Sequence, residues 1–178
     1  MNDEELIWEW YEKTILTEAK TEILYYDEDS DNYDPWEIAD KVESVFKRAG
    51  IRINHNKDIS YFAMVGEDVI GATYSSTRQD DAEEYGGPEG EKVLIYEFDI
   101  AVDPAHQGGT TGYLLTKACV DDATNLSNEM SDVTTMMYNH VINPKMAQML
   151  ERLFGFQYLS EGDAERGDGY SSTMVKYL

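Results

Sequence analysis

The sequence predicts an α/β fold: a mixed, mostly antiparallel sheet of about six or seven strands with helices on both faces. Three observations predict it. From residue 59 onward, short runs rich in β-branched and aromatic residues alternate with turn signals. Between these runs lie segments whose apolar residues recur at helical spacing. The strongest strand pattern, Val93–Val102, passes through a glycine-rich turn straight into one of those helical segments. A length of 178 residues fits one domain spanning 1–178, with residues 1–26 as an N-terminal helical extension.

Along the chain, Asn2 or Asp3 caps a first helix, with Leu6, Ile7, Trp10, Thr14 and Ile15 on its apolar face. Ile23–Tyr26 reads as a short strand, and the acidic run Asp27–Asp34 as a solvated loop. That run lacks the glycine and terminal glutamate of a calcium loop. Asp34-Pro35 opens a second helix with proline at its favoured first position. Trp36, Ala39, Val42, Val45 and Phe46 supply its buried stripe, and Gly50 stops it. Ile59–Val65 and Val69–Tyr74, joined at Gly66-Glu67-Asp68, form a hairpin, and Arg78–Glu91 reads as a long acidic loop. After Val93–Val102 come a helix over about Thr111–Ala123, a strand at Val133–Tyr138 and a helix opened by Asn143-Pro144. A final strand pair at Gly155–Leu159 and Ser172–Tyr177 completes the reading.

Composition narrows the chemistry. Thirty-six acidic residues against 14 basic give a net charge of −22. Such a surface repels nucleic acid and anionic membranes and attracts cations. Acidity also serves solubility alone, so charge does not locate a site. The single cysteine, Cys119, excludes an internal disulfide and a cysteine-rich metal site. His55, His106 and His140 are scattered without a helical i, i+4 pair, so no metal site is expected. Mean hydropathy is −0.54 and no apolar run reaches the length of a membrane span. The acidic start Met1–Glu5 is unlike a secretory signal, so a cytoplasmic location is expected.

The segment that carries chemistry is Asp103–Gly112, between the Val93–Val102 strand and a helix. Successive backbone N–H groups in such a turn converge on an anion, and the helix dipole adds to the attraction. Glycine lets the main chain come close to a bulky phosphate. No Gly-Lys-Ser/Thr closes the turn, and glycines at 108, 109 and 112 do not match G-x-G-x-x-G, so neither a Walker A nor a Rossmann loop is present. A ligand-free tight turn would show a similar glycine cluster.

The order of motifs resembles the GNAT (Gcn5-related N-acetyltransferase) superfamily. Its central motif is a strand ending in Val-x-Pro, then Gln/Arg-x-x-Gly-x-Gly/Ala, then a helix. The chain has Val102-Asp103-Pro104, then Gln107–Gly112, then Leu114-Leu115. The strand Val133–Tyr138, Asn143 and Gly155-Phe156 match the next elements, and the resemblance spans roughly residues 59–178. It implies acetyl-CoA as co-substrate and acetyl transfer to a primary amine of a cationic small molecule or a protein. The pantetheine arm would pair with the backbone of Ile100, Ala101 and Val102. The pyrophosphate would sit on amides of Gln107, Gly108, Gly109, Thr110, Thr111 and Gly112. Asn143 would either contact the pantetheine or cap its helix.

The chain departs from the pattern at three places. Thr110 replaces the middle glycine, and binds less closely or offers its hydroxyl. The turn has no arginine or lysine for the CoA 3′-phosphate, for which Lys117 is a candidate. Leu150 or Glu151 stands where many relatives place a tyrosine acid, which leaves Tyr138 or water for that role.

Acetyl transfer also needs a proton acceptor for the amine. Glu97 and Asp99 share one face of the Val93–Val102 strand, opposite Phe98 and Ile100, and are the candidate bases, although plain solvent exposure would also place acids there. Two other readings are a degenerate binding protein of the same fold and an acidic decoy that imitates DNA. A homodimer is a further expectation drawn from the family.

Overall fold

The computed structural model describes residues 21–130, 132–141, 143–161 and 172–178. The first predicted helix lies outside them. In chain order the elements are β1 (Glu22–Tyr25), α1 (Pro35–Ala49), β2 (Asp58–Val65), β3 (Asp68–Asp81), β4 (Lys92–Val102), α2 (Thr111–Glu129), β5 (Thr134–Val141), α3 (Pro144–Phe154), β6 (Gln157–Glu161) and β7 (Ser172–Tyr177). The strands form one seven-stranded sheet in the order β1-β2-β3-β4-β5-β7-β6. The β1–β2, β5–β7 and β6–β7 pairs are antiparallel, and β4–β5 is parallel. A parallel neighbour needs a crossover, which α2 supplies. The predicted mixed, mostly antiparallel sheet is therefore present.

The chain packs as two compact units, residues up to Tyr74 with Ile100–Ala118, and Ser75–Asp99 with Cys119–Leu178. In the first, Ile38, Val42, Val45 and Phe46 of α1 pack with Phe62 of β2 and Ala101 of β4. Leu115 of α2 packs instead with Ala63 and, more peripherally, with Ile100 and Val102. Phe62 and Ala63 are sequence neighbours, as are Ala101 and its flanking residues, so the two clusters lie on opposite faces of the strands. This unit thus carries a helix on each face, as predicted.

In the second unit, Val93 and Ile95 of β4 cluster with Met136 of β5 and Val175 of β7. The other face of β4 presents Tyr96 and Phe98. The Tyr96 hydroxyl donates to Asp122 of α2 at 2.9 Å, and burial, with Cys119 and Asp122 nearby, pushes the phenol far above its ordinary value. Phe98 stacks edge-on against Phe156 at 6.2 Å. Cys119 is fully buried.

Capping sets the ends of α1 and α3. The Asp34 carboxylate accepts from the amides of Trp36 and Glu37, and Gly50 closes α1 with a φ of 71°. Gly155 closes α3 in the same left-handed conformation.

Three expectations need correction. Trp36 is 84% exposed and Ile38 takes its place in the buried stripe. The stripe Ile38-Val42-Val45-Phe46 defines the face, and Trp36 lies about 200° round the helix from Ile38. Arg78–Asp81 belong to β3 rather than to the acidic loop, because the hairpin with β4 continues. Lys92 bonds Asp81 at 2.6 Å, and the Ala82 amide reaches the Glu91 carbonyl at 3.0 Å. Finally, α2 runs on past Ala123 to Glu129.

Candidate active site

The glycine turn lies wholly in the first unit. Asp103 ends β4 and organises the start of the turn. Its Oδ1 accepts from the Ala105 amide at 2.9 Å, and its Oδ2 holds Arg48 Nε of α1 at 2.6 Å. The Ala105 bond foremost, then Arg48, holds the carboxyl below its ordinary value. Pro104–His106 form one 3₁₀ turn. Gln107 then extends, and its side-chain amide turns back to the Val102 carbonyl at 3.1 Å. Gly108 adopts a φ of 92°, and is the glycine of the turn whose conformation excludes other residues. A side chain at Gly112 would meet only Val102 Cγ2 at 3.8 Å, so the fold does not demand glycine there.

The Leu114 amide bonds the Thr110 carbonyl at 2.9 Å, which starts α2. Thr110 and Thr111 are 2% and 3% exposed. The Thr111 methyl and Leu115 lie where a side chain at Gly71 of β3 would fall, both at 3.0 Å. So Gly71 admits α2 against β3, a close approach that sequence reasoning missed. At Thr110 and Thr111 almost the whole residue is enclosed. An extended Gln107 followed by a left-handed Gly108 bends the main chain in front of α2, and the first-turn amides of α2, which lack intrahelical acceptors, are suited to an anion.

The carboxylates and tyrosines lie in the second unit. The parallel ladder of β4 with β5 runs from Val93↔Thr134 to Glu97↔Tyr138 and goes no further. Beyond it, the Asn139 side-chain amide donates to the Phe98 carbonyl at 2.7 Å, with Asn139 only 5% exposed. A side chain takes the place of the ladder, while β5 stays paired to β7 as far as Val141↔Ser172. Glu97 and Tyr138 are thus register partners at the last rung, and Asp99 lies one strand repeat beyond Glu97.

The structure adds residues that sequence reasoning missed. Arg78 Nε approaches Glu97 Oε2 at 3.9 Å, and its Nη atoms bond Asp80 and, at 2.9 Å, the Tyr85 hydroxyl. The Tyr85 hydroxyl itself donates to Asp80 at 2.9 Å. The Tyr85 ring meets Tyr138 edge-on at 6.0 Å, and its carbonyl accepts from the Tyr177 hydroxyl at 2.6 Å. The bond from Tyr85, followed by the Asp81 amide and Arg78, holds the Asp80 carboxyl below its ordinary value. A lone arginine in a tract of acids was the available signal, masked by reading the tract as loop.

Asn143 caps α3, its Oδ1 accepting from the Lys145 amide at 2.9 Å. Leu150 is fully buried, and Glu151 is exposed. Among the described residues no cluster of His, Cys, Asp and Glu is arranged to hold a metal. No helix there is long and apolar enough to cross a membrane.

No family model and no curated protein sequence matches the chain. Solved structures do. Naa50 of Arabidopsis thaliana, in complex with a bisubstrate analogue of CoA and a peptide, aligns with a TM-score of 0.57 at 13% identity, over 89% of this chain and 99% of that one. NAA60 of Arabidopsis thaliana, also with a bisubstrate analogue, gives 0.55 at 14% identity, over 89% and 99%. The toxin AtaT, in mutant form with the C-terminus of the antitoxin AtaR and acetyl-CoA, gives 0.53 at 12%, over 88% and 92%. At these identities the likeness is one of fold: the chain has the fold of the Gcn5-related N-acetyltransferases.

Proposed function

We propose that the protein transfers an acetyl group from acetyl-CoA to a primary amine of a cationic acceptor. The observation that carries this reading is the turn after β4, where a left-handed Gly108 bends the main chain in front of the first-turn amides of α2. A diphosphate matches such donors without needing a lysine or arginine. The pantetheine arm would run along Ile100–Val102 as an extra strand, and a main-chain amide there would polarise the thioester carbonyl. The amine nitrogen attacks that carbon. A C–N bond forms, the C–S bond breaks, and the amine must shed a proton.

Glu97 is the base in this reading, directly or through water, with Asp99 as a second acceptor on the same face. Tyr138, the register partner of Glu97, is the acid that protonates the departing thiolate in this reading. Cationic acceptors are favoured by the net charge of −22. In the relatives the corresponding ligands are bisubstrate analogues and acetyl-CoA, which supports the co-substrate.

The test is a screen of polyamines, aminoglycosides and peptide amines for release of free CoA, with calorimetry of acetyl-CoA binding. Glu97→Gln is expected to bind acetyl-CoA normally and lose turnover by about 100-fold. Gly109→Asp is expected to abolish binding. Normal acetyl-CoA binding by Gly109→Asp would refute the assignment of the turn.

A further inference from the structure

Arg78 sits at the centre of an arrangement that the proposed chemistry leaves unused. Its two Nη atoms are committed. One is paired with the Asp80 carboxylate and the other is bonded to the Tyr85 hydroxyl at 2.9 Å. Tyr85 closes the triangle by donating to the same Asp80 oxygen at 2.9 Å. The triangle is itself braced: Tyr177 of β7 bonds the Tyr85 carbonyl at 2.6 Å, and Tyr138 of β5 packs against the Tyr85 ring. What remains of the guanidinium is Nε, and Nε faces Glu97 Oε2 at 3.9 Å.

That last distance is too long for a hydrogen bond and reads as a charge contact. With the Arg78 side chain 44% exposed and that of Glu97 23% exposed, it adds little to stability. Its effect is on direction. A cation whose other nitrogens are bonded presents its charge to the neighbouring carboxylate from a defined side and favours the rotamer that faces it. A glutamate in another rotamer would leave the amine's proton acceptor in the wrong place.

We infer that Arg78 is a positioning residue for Glu97, held in place by Asp80 and Tyr85. The inference rests on Glu97 being the base, and deepens that reading. A merely structural role predicts something different, namely a hairpin clamp between the end of β3 and the Ala82–Tyr85 turn whose loss affects stability alone.

The experiment compares wild type, Arg78→Gln, Arg78→Lys, Glu97→Gln and the double variant Arg78→Gln/Glu97→Gln, using acetyl-CoA with spermidine as the acceptor probe. Arg78→Gln is expected to lower kcat about tenfold while KM for acetyl-CoA stays within about twofold. Arg78→Lys, which keeps charge but not the fork, is expected to recover only part of the rate. The double variant is expected to turn over no more slowly than Glu97→Gln alone. Multiplicative losses in the double variant, or unchanged kcat in Arg78→Gln, would overturn the inference.

A crystal structure of Arg78→Gln gives a readout independent of turnover. The Glu97 side chain is expected to leave its wild-type rotamer or to split among several. An unmoved, singly ordered Glu97 would sink the positioning role even if no amine were acetylated. Absence of turnover in wild type with any amine would instead count against the acetyltransferase reading, leaving the crystallographic arm to decide on Arg78.

Discussion

Gly108 and Gly112 lie in the same turn and answer to different constraints. Gly108 has a φ of 92°, which a side chain tolerates poorly, whereas a side chain at Gly112 meets only one methyl at 3.8 Å. Gly108→Ala is therefore expected to lower stability by about 1–2 kcal/mol, read by thermal unfolding. Gly112→Ala is expected to leave stability unchanged or slightly raised, and yet to weaken acetyl-CoA binding in calorimetry, because the added methyl stands where a phosphate would come. Equal binding by both variants and wild type would argue that neither glycine serves a ligand.

Asp103 supplies a second residue-level prediction. Its carboxyl lies below the ordinary 3.8, chiefly through the Ala105 amide and then Arg48. A carboxyl with a depressed folded value stabilises the protein above the unfolded value and loses that contribution as pH falls through the folded one. The unfolding temperature of wild type is thus expected to drop more between about pH 5 and about pH 3 than that of Asp103→Asn. Parallel curves would show that the Asp103 contacts do not persist in solution.

At the scale of elements, the helix ends were the most legible features. Asp34-Pro35 and Asn143-Pro144 each pair a capping side chain with a proline suited to the first turn, and both helices start there. Asn143→Ala is expected to cost about 1 kcal/mol of stability, measured by denaturant unfolding, and to leave KM for acetyl-CoA unchanged if the cap is the residue's whole role. The β4 strand, the turn and α2 were equally legible, since strand period, glycine and helix period change in sequence there.

What the sequence hid were features set by partners distant along the chain. Nothing local says that Arg78–Asp81 stay in a strand, because their polar alternation matches a loop until β4 is seen beside them. Nothing local exposes the Arg78–Glu97 contact, or the Asn139 bond that replaces the ladder at Phe98. Trp36 failed for a simpler reason: apolarity placed it in the stripe, and helix phase puts it in water.

For the whole molecule, the dominant quantity is a net charge of −22. It sets no fold, but it governs encounter with charged partners. If the acceptor is cationic, kcat/KM for it is expected to fall several-fold as salt rises from about 0.05 M to about 0.5 M, through screening of the acidic surface. KM for acetyl-CoA, itself an anion, is expected to improve or hold over the same range. A flat response for every amine acceptor would assign the acidity to solubility alone.

The most direct measurement is a crystal structure of the protein with acetyl-CoA. The account predicts that the two phosphates lie within hydrogen-bond distance, about 2.7–3.2 Å, of main-chain nitrogens between Gln107 and Gly112. Acetyl-CoA bound elsewhere, with those nitrogens facing only water, would contradict it.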